Sequence, residues 1–118
     1  MCGIFGIFGH EHAAAMTHLG LYSLQHRGQE SSGIVAVDRE VGARAIKRMG
    51  LVSEGFGAPD VTSLRGDIAI GHTRYSTAGS STIENAQPVM ARFRDGHIAL
   101  AHNGNLINAS ELRRELER

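Results

Sequence analysis

The sequence has 118 residues, and its 12 Lys+Arg balance 12 Asp+Glu, so the formal charge is zero with histidines neutral; no net field draws it to nucleic acid or an anionic membrane. Hydrophobic residues are 42% and charged residues 20%, a globular mixture sized for one domain. No apolar run approaches the about 20 residues of a membrane span. The single cysteine excludes an internal disulfide and any all-cysteine zinc or iron–sulfur site, and the absence of a basic lead in MCGIFGIFGHEH argues against a signal peptide and for a cytoplasmic setting.

Residues 2–9 (CGIFGIFG) are apolar without alternation, which predicts a central strand buried on both faces. From Glu11 to about Gln25, Ala13, Met16, Leu21 and Leu24 fit one helical stripe that ends at Gly28, and Gly20 lets a neighbouring layer approach closely. A strand over 33–37, a turn over 38–42 and a return strand over 43–48 follow; Pro59-Asp60 opens a short helix that stops at Gly66. Residues 67–72 (DIAIGH) alternate, with Ala69 and Gly71 forming a small face suited to close packing. Residues 73–88 show no period, which predicts a functional loop or lid. Strands 89–93 and 97–102 flank the turn signal Asp95-Gly96. A last helix starts at Asn108, with Glu111 at capping-box spacing and Ile107 and Leu112 as a hydrophobic staple. It runs to Arg118 with no stop signal, as though the chain were cut there. These elements predict an α+β layered fold. The glycines of GIFGIFG lie inside a strand and do not have the spacing of a dinucleotide turn.

Cys2 is the sharpest chemical feature. A small second residue favours removal of Met1, which leaves a thiol and a free α-amine on one residue. Their ordinary pKa values, about 8.5 and about 7.7–8.0, make the amine a base suited to its own thiol, as in N-terminal nucleophile enzymes. The competing reading is a buried structural cysteine. His102-Asn103-Gly104-Asn105 sets an Asn amide and a Gly N–H at a turn, donors of the kind worth about 2.7–4 kcal/mol at a developing oxyanion; the competing reading is a plain Asn-Gly turn. Arg74, among hydroxyls at Thr73, Tyr75, Ser76 and Thr77, either grips a carboxylate or makes a surface ion pair. Arg27 either carries charge toward the thiol or caps a helix. His10 and His12 alternate, yet no HExxH or further ligand set exists, so no metal site is expected.

The order of MCGIFGI, SLQHRGQESSGI (23–34), GHTRYSTAGSS (71–81), NAQPV (85–89) and LAHNGNLINASELR (100–113) resembles the type-2 glutamine amidotransferase domain of the amidophosphoribosyltransferase family. Sugar-phosphate, asparagine and glutamate synthase amidotransferases share the leading Cys-Gly-Ile and remain an alternative, as does a non-catalytic folded remnant. The resemblance implies the N-terminal nucleophile fold, a four-layer αββα sandwich with antiparallel sheets, of which residues 1–118 are the N-terminal part. It implies Cys2 as nucleophile forming a γ-glutamyl thioester, and Asn103 and Gly104 as oxyanion hole. Arg74 and Thr77 then hold the glutamine α-carboxylate, with Arg27 and Gly28 beside the nucleophile. It further implies a phosphoribosyltransferase domain, absent from these residues, that receives the ammonia and uses Mg²⁺, and a homo-oligomeric full-length enzyme.

Overall fold

In a computed structural model, which describes residues 1–76 and 79–118, six strands form two antiparallel sheets. In chain order the elements are β1 (Gly3–Phe8), α1 (Ala13–Leu24), β2 (Ser31–Asp38), β3 (Gly42–Met49), α2 (Val52–Gly55), α3 (Ala58–Ser63), β4 (Ile68–Arg74), β5 (Val89–Phe93), β6 (Gly96–Leu100) and α4 (Ala109–Leu116). Short 3₁₀ turns at Gln25–Arg27 and Ile83–Asn85 extend α1 and interrupt the loop after β4. The larger sheet has the order β1-β4-β2-β3, and β5 pairs with β6 in a second, two-stranded sheet. The expected α+β class holds.

Helix α1 lies on one face of the larger sheet. Its buried side is Ala13, Ala14, Thr17 and Leu21, facing Ile34 and Ala36 of β2 and Ala69 of β4 in one apolar cluster with Val52, Phe56 and Leu64. Small residues permit this approach. A Cβ on Gly71 would fall 2.7 Å from Thr17 Cγ2 and 2.8 Å from Leu21 Cδ1, and one on Gly20 would enter the Phe5 ring. The small face read from DIAIGH therefore packs as its pattern predicts.

Several expectations need correction. Strand β1 is an edge strand: Gly3, Phe5 and Ile7 turn toward α1, while Ile4 and Phe8 are exposed. An unalternating apolar run reports missing polar residues but cannot count neighbouring strands; the interior positions belong to β4 and β2. Met16 is on the outer side of α1, where the smaller Ala14 and Thr17 take the inner stripe. Thr73 and Arg74 belong to β4, because β1 and β2 both continue to pair there (Gly3 with Thr73, Ser31 with Arg74), so the loop begins at Tyr75. Finally, α4 starts where expected, but Asn108 makes no side-chain cap bond, and Ile107 is fully exposed and staples nothing. The sequence pattern also missed α2, whose four residues are too few to show a period. The second hairpin strand also differs: β6 spans Gly96–Leu100 against the expected 97–102, with Gly96 paired with Phe93.

Leu21 is fully buried and Leu19, two residues earlier, is 65% exposed. Truncating Leu21 to Ala should cost about 2–5 kcal/mol in urea unfolding, against at most about 0.5 kcal/mol for Leu19→Ala. Equal losses would show that α1 packs by another face.

Candidate active site

One end of the larger sheet gathers chain segments that are distant in sequence. Cys2 precedes β1, Arg74 ends β4, Ser31 begins β2, and the 3₁₀ turn 25–27 continues α1 back over the same edge. The fit there is tight: a Cβ on Gly28 would lie 2.7 Å from the Arg74 nitrogen and the Thr73 carbonyl carbon, both backbone atoms, so only glycine passes.

The Cys2 carbonyl is the meeting point. It accepts hydrogen bonds from Arg27 Nε at 3.1 Å and from Asn103 Nδ2 at 3.1 Å. The free, half-buried thiol faces the Tyr75 main chain: Tyr75 N–H donates to Sγ and the Tyr75 carbonyl accepts from it, both at 3.5 Å. Cys2, Arg27, Arg74, Asn103 and Gly104 border one cavity of about 730 Å³ with the exposed Met1 at its rim. Arg27, read either as carrying charge toward the thiol or as capping a helix, makes its contact here with the Cys2 carbonyl.

The turn carrying Asn103 is held at the main chain of the preceding residue, His102. His102 N–H donates to Gln87 Oε1 at 2.8 Å, and His72 Nε2 meets the His102 carbonyl at 3.2 Å. Gly104 has φ +113°, a conformation that L side chains rarely adopt. His72 is fully buried, and that desolvation pushes its pKa below the ordinary 6.5, against the opposing hydrogen bonds to the His102 carbonyl and the Asn103 side chain. A neutral ring that donates through Nε2 fits this site.

Arg74 makes an ion pair, as one of its two readings held, but a buried one. Its Nη1 donates to Glu30 Oε2 at 2.8 Å and to the Ser80 carbonyl at 3.0 Å, and Ser76 Oγ donates to Glu30 Oε1 at 2.6 Å. Thr77, assigned beside Arg74, lies outside the described residues. Among the described residues no three His, Cys, Asp or Glu side chains are grouped to hold a metal ion; His10 Nδ1 instead accepts from His12 N–H at 3.0 Å.

The family model described as "Glutamine amidotransferases class-II" matches residues 58–117. The chain belongs to the class-II glutamine amidotransferases. Among its relatives in this family are the amidophosphoribosyltransferases of Lacticaseibacillus casei, 56% identical over 117 residues, and of Bacillus subtilis (strain 168), 52% identical. Each match takes in 98% of this chain, but only 60% of the first protein and 24% of the second. A solved structure of B. subtilis glutamine phosphoribosylpyrophosphate amidotransferase, complexed with ADP and GMP, is 47% identical with a TM-score of 0.85 over 99% of this chain and 25% of that one. The chain thus spans from about a quarter to three-fifths of these relatives.

In this amidotransferase, pattern reading missed His72, Gln87 and Glu30. All three stood inside quoted motifs, but nothing local marks a residue whose partner is tens of positions away. A second cavity, about 660 Å³ at the opposite end of the sheet among Glu11, Asp38, Arg39 and Arg65, holds none of the expected site residues. No described helix is long and apolar enough to cross a membrane.

Desolvation raises the Glu30 pKa, but hydrogen bonds from Ser76 and Ser81 and the Arg74 charge outweigh it and hold the carboxyl below its ordinary 4.5. A depressed carboxyl pKa stabilises the fold above the unfolded value, and this stability is lost as pH falls through the folded one. Glu30→Gln should therefore lower the melting temperature most near neutrality, and the gap to wild type should close as pH drops below about 4.5. A gap independent of pH would assign the loss to packing alone.

Proposed function

We propose that this chain is the glutamine-hydrolysing part of an amidophosphoribosyltransferase, which converts glutamine, phosphoribosyl pyrophosphate and water to phosphoribosylamine, glutamate and pyrophosphate. The observation that carries the reading is the meeting of Cys2 with Asn103 at 3.1 Å across 101 residues of sequence. It sets a nucleophile that has a base on its own backbone beside a turn of oxyanion donors.

The chemistry follows from those atoms. Removal of Met1 frees the Cys2 α-amine, which takes the thiol proton. Sγ attacks the glutamine side-chain amide carbon, and the new oxyanion takes hydrogen bonds from Asn103 Nδ2 and Gly104 N–H. An amide nitrogen carries two hydrogens, so Nδ2 can keep its bond to the Cys2 carbonyl and still donate to the oxyanion. The ammonium formed on Cys2 returns its proton to the leaving nitrogen, ammonia departs, and a γ-glutamyl thioester remains. Water then attacks the thioester, releasing glutamate and restoring the thiol. Arg74, with Thr77, is assigned the glutamine α-carboxylate, Arg27 and Gly28 shape the wall beside the nucleophile, and the loop after Arg74 closes over the substrate. Ammonia passes to a phosphoribosyltransferase domain, to which Mg²⁺ use also belongs. The reading includes a homo-oligomeric enzyme in the cytoplasm.

In the protein made from its complete reading frame, Cys2→Ala should abolish phosphoribosylamine formation from glutamine and spare formation from added ammonia. Loss of both, or of neither, would overturn the assignment. Asn103→Ala should lower kcat for glutamine hydrolysis by on the order of a hundredfold to a thousandfold at nearly unchanged KM, and normal kcat with raised KM would reassign Asn103 to substrate holding.

A further inference from the structure

We propose that His72 and Gln87 are paired positioning residues that clamp the peptide groups on either side of His102 and so aim the Asn103-Gly104 turn at the substrate oxyanion. The inference rests on the glutaminase reading above and extends it to two residues that act on the turn through the backbone of His102.

The pairing begins in the sheet. His72 of β4 sits opposite Ile4 of β1 and Gly33 of β2, all on the face away from α1. Gly33 has no side chain, and the Gln87 carbonyl oxygen occupies the space that a Cβ there would need. The missing side chain lets the Gln87 backbone settle against β2 beside its cross-strand neighbour His72. The two side chains then reach the two peptide groups that flank the His102 Cα, one at its N–H and one at its carbonyl. Gln87 Oε1 accepts the His102 N–H at 2.8 Å, and His72 Nε2 donates to the His102 carbonyl at 3.2 Å. With the peptide plane on each side of the His102 Cα held by its own side chain, rotation about the bonds of His102 is restrained, which fixes the direction in which the chain leaves toward Asn103. The Asn103 side chain is itself tied, through Nδ2, to the Cys2 carbonyl.

Burial supports the role. His72 is 0% exposed, its pKa is lowered by that burial, and Nδ1 has no hydrogen-bond partner among the described residues. A protonated ring would leave a charge and a second N–H donor unsatisfied in the interior, so the ring stays neutral and Nε2 carries the hydrogen. Displacing catalytic donors by about 1 Å costs on the order of a hundredfold in rate, so the clamp bears on kcat although it binds no substrate.

The test uses the protein from its complete reading frame, with Met1 removal verified by mass, and follows glutamine hydrolysis together with amide hydrogen exchange at 102–105. His72→Leu and Gln87→Leu should each lower kcat about a hundredfold with KM nearly unchanged, and exchange at His102 should accelerate. His72→Gln, whose amide N–H reaches where Nε2–H was, should recover most of the rate, and the shorter His72→Asn should not. Affinity for the aldehyde analogue of glutamine, which adds Cys2 to form a tetrahedral adduct, should fall with kcat while affinity for glutamate holds. Unchanged kcat in the Leu variants, or His72→Gln no better than His72→Asn, would overturn the proposal even if His72→Leu fails to fold. If wild type hydrolyses no glutamine, the functional reading fails by itself, and exchange at His102 still decides the clamp.

Discussion

One carbonyl oxygen, that of Cys2, joins the parts of this molecule that matter for chemistry. Arg27 reaches it from the turn that ends α1, and Asn103 reaches it from beyond the second sheet. A hydrogen bond to a charged donor is worth about 1.5–3 kcal/mol, and one between neutral groups about 1 kcal/mol. Neither is large alone. Their effect is to hold the first residues of an edge strand, which would otherwise fray, in register with a turn placed a hundred residues later.

Strand β4 makes that convergence possible. Its small face, Ala69 and Gly71, lets α1 sink onto the sheet, which brings the helix end and its Arg27 to the same edge as Cys2. Its other face carries His72 to the turn before Asn103, and its last residue puts Arg74 against Glu30. The strand serves packing with alternate residues and the site with the rest, as the two-residue period of a strand permits.

The polar groups at this end of the sheet form two linked clusters with different electrostatic logic. Glu30, Arg74 and Ser76 keep charge by pairing it, so burial is compensated and the loop after β4 is tied at Ser80. His72 is buried without a charge partner and is held neutral instead. Outside these clusters much apolar surface is left uncovered. Phe8, Val89, Leu100 and Ile107 are exposed, and α4 is exposed along its length.

The sequence by itself determined the local elements and the chemical inventory. Periodicity placed α1, β2 and β3 within a few residues, the small face of DIAIGH announced close packing, and Cys2, Arg27 and the Asn-Gly turn were legible as reactive types in distinctive positions. Those signals are local, carried by neighbours within a turn of helix or a few strand residues. The tertiary structure alone decided that β1 is an edge strand, that Arg74 is buried against Glu30 forty-four residues away, and that His72 and Gln87 hold the backbone of His102 before Asn103. It also decided that Asn108 and Ile107 leave their capping roles unused. A pattern shows which face of an element is apolar. Which strand lies beside it, and which buried polar atom must therefore find a partner, depends on contacts between residues whose spacing in the chain has no period to read.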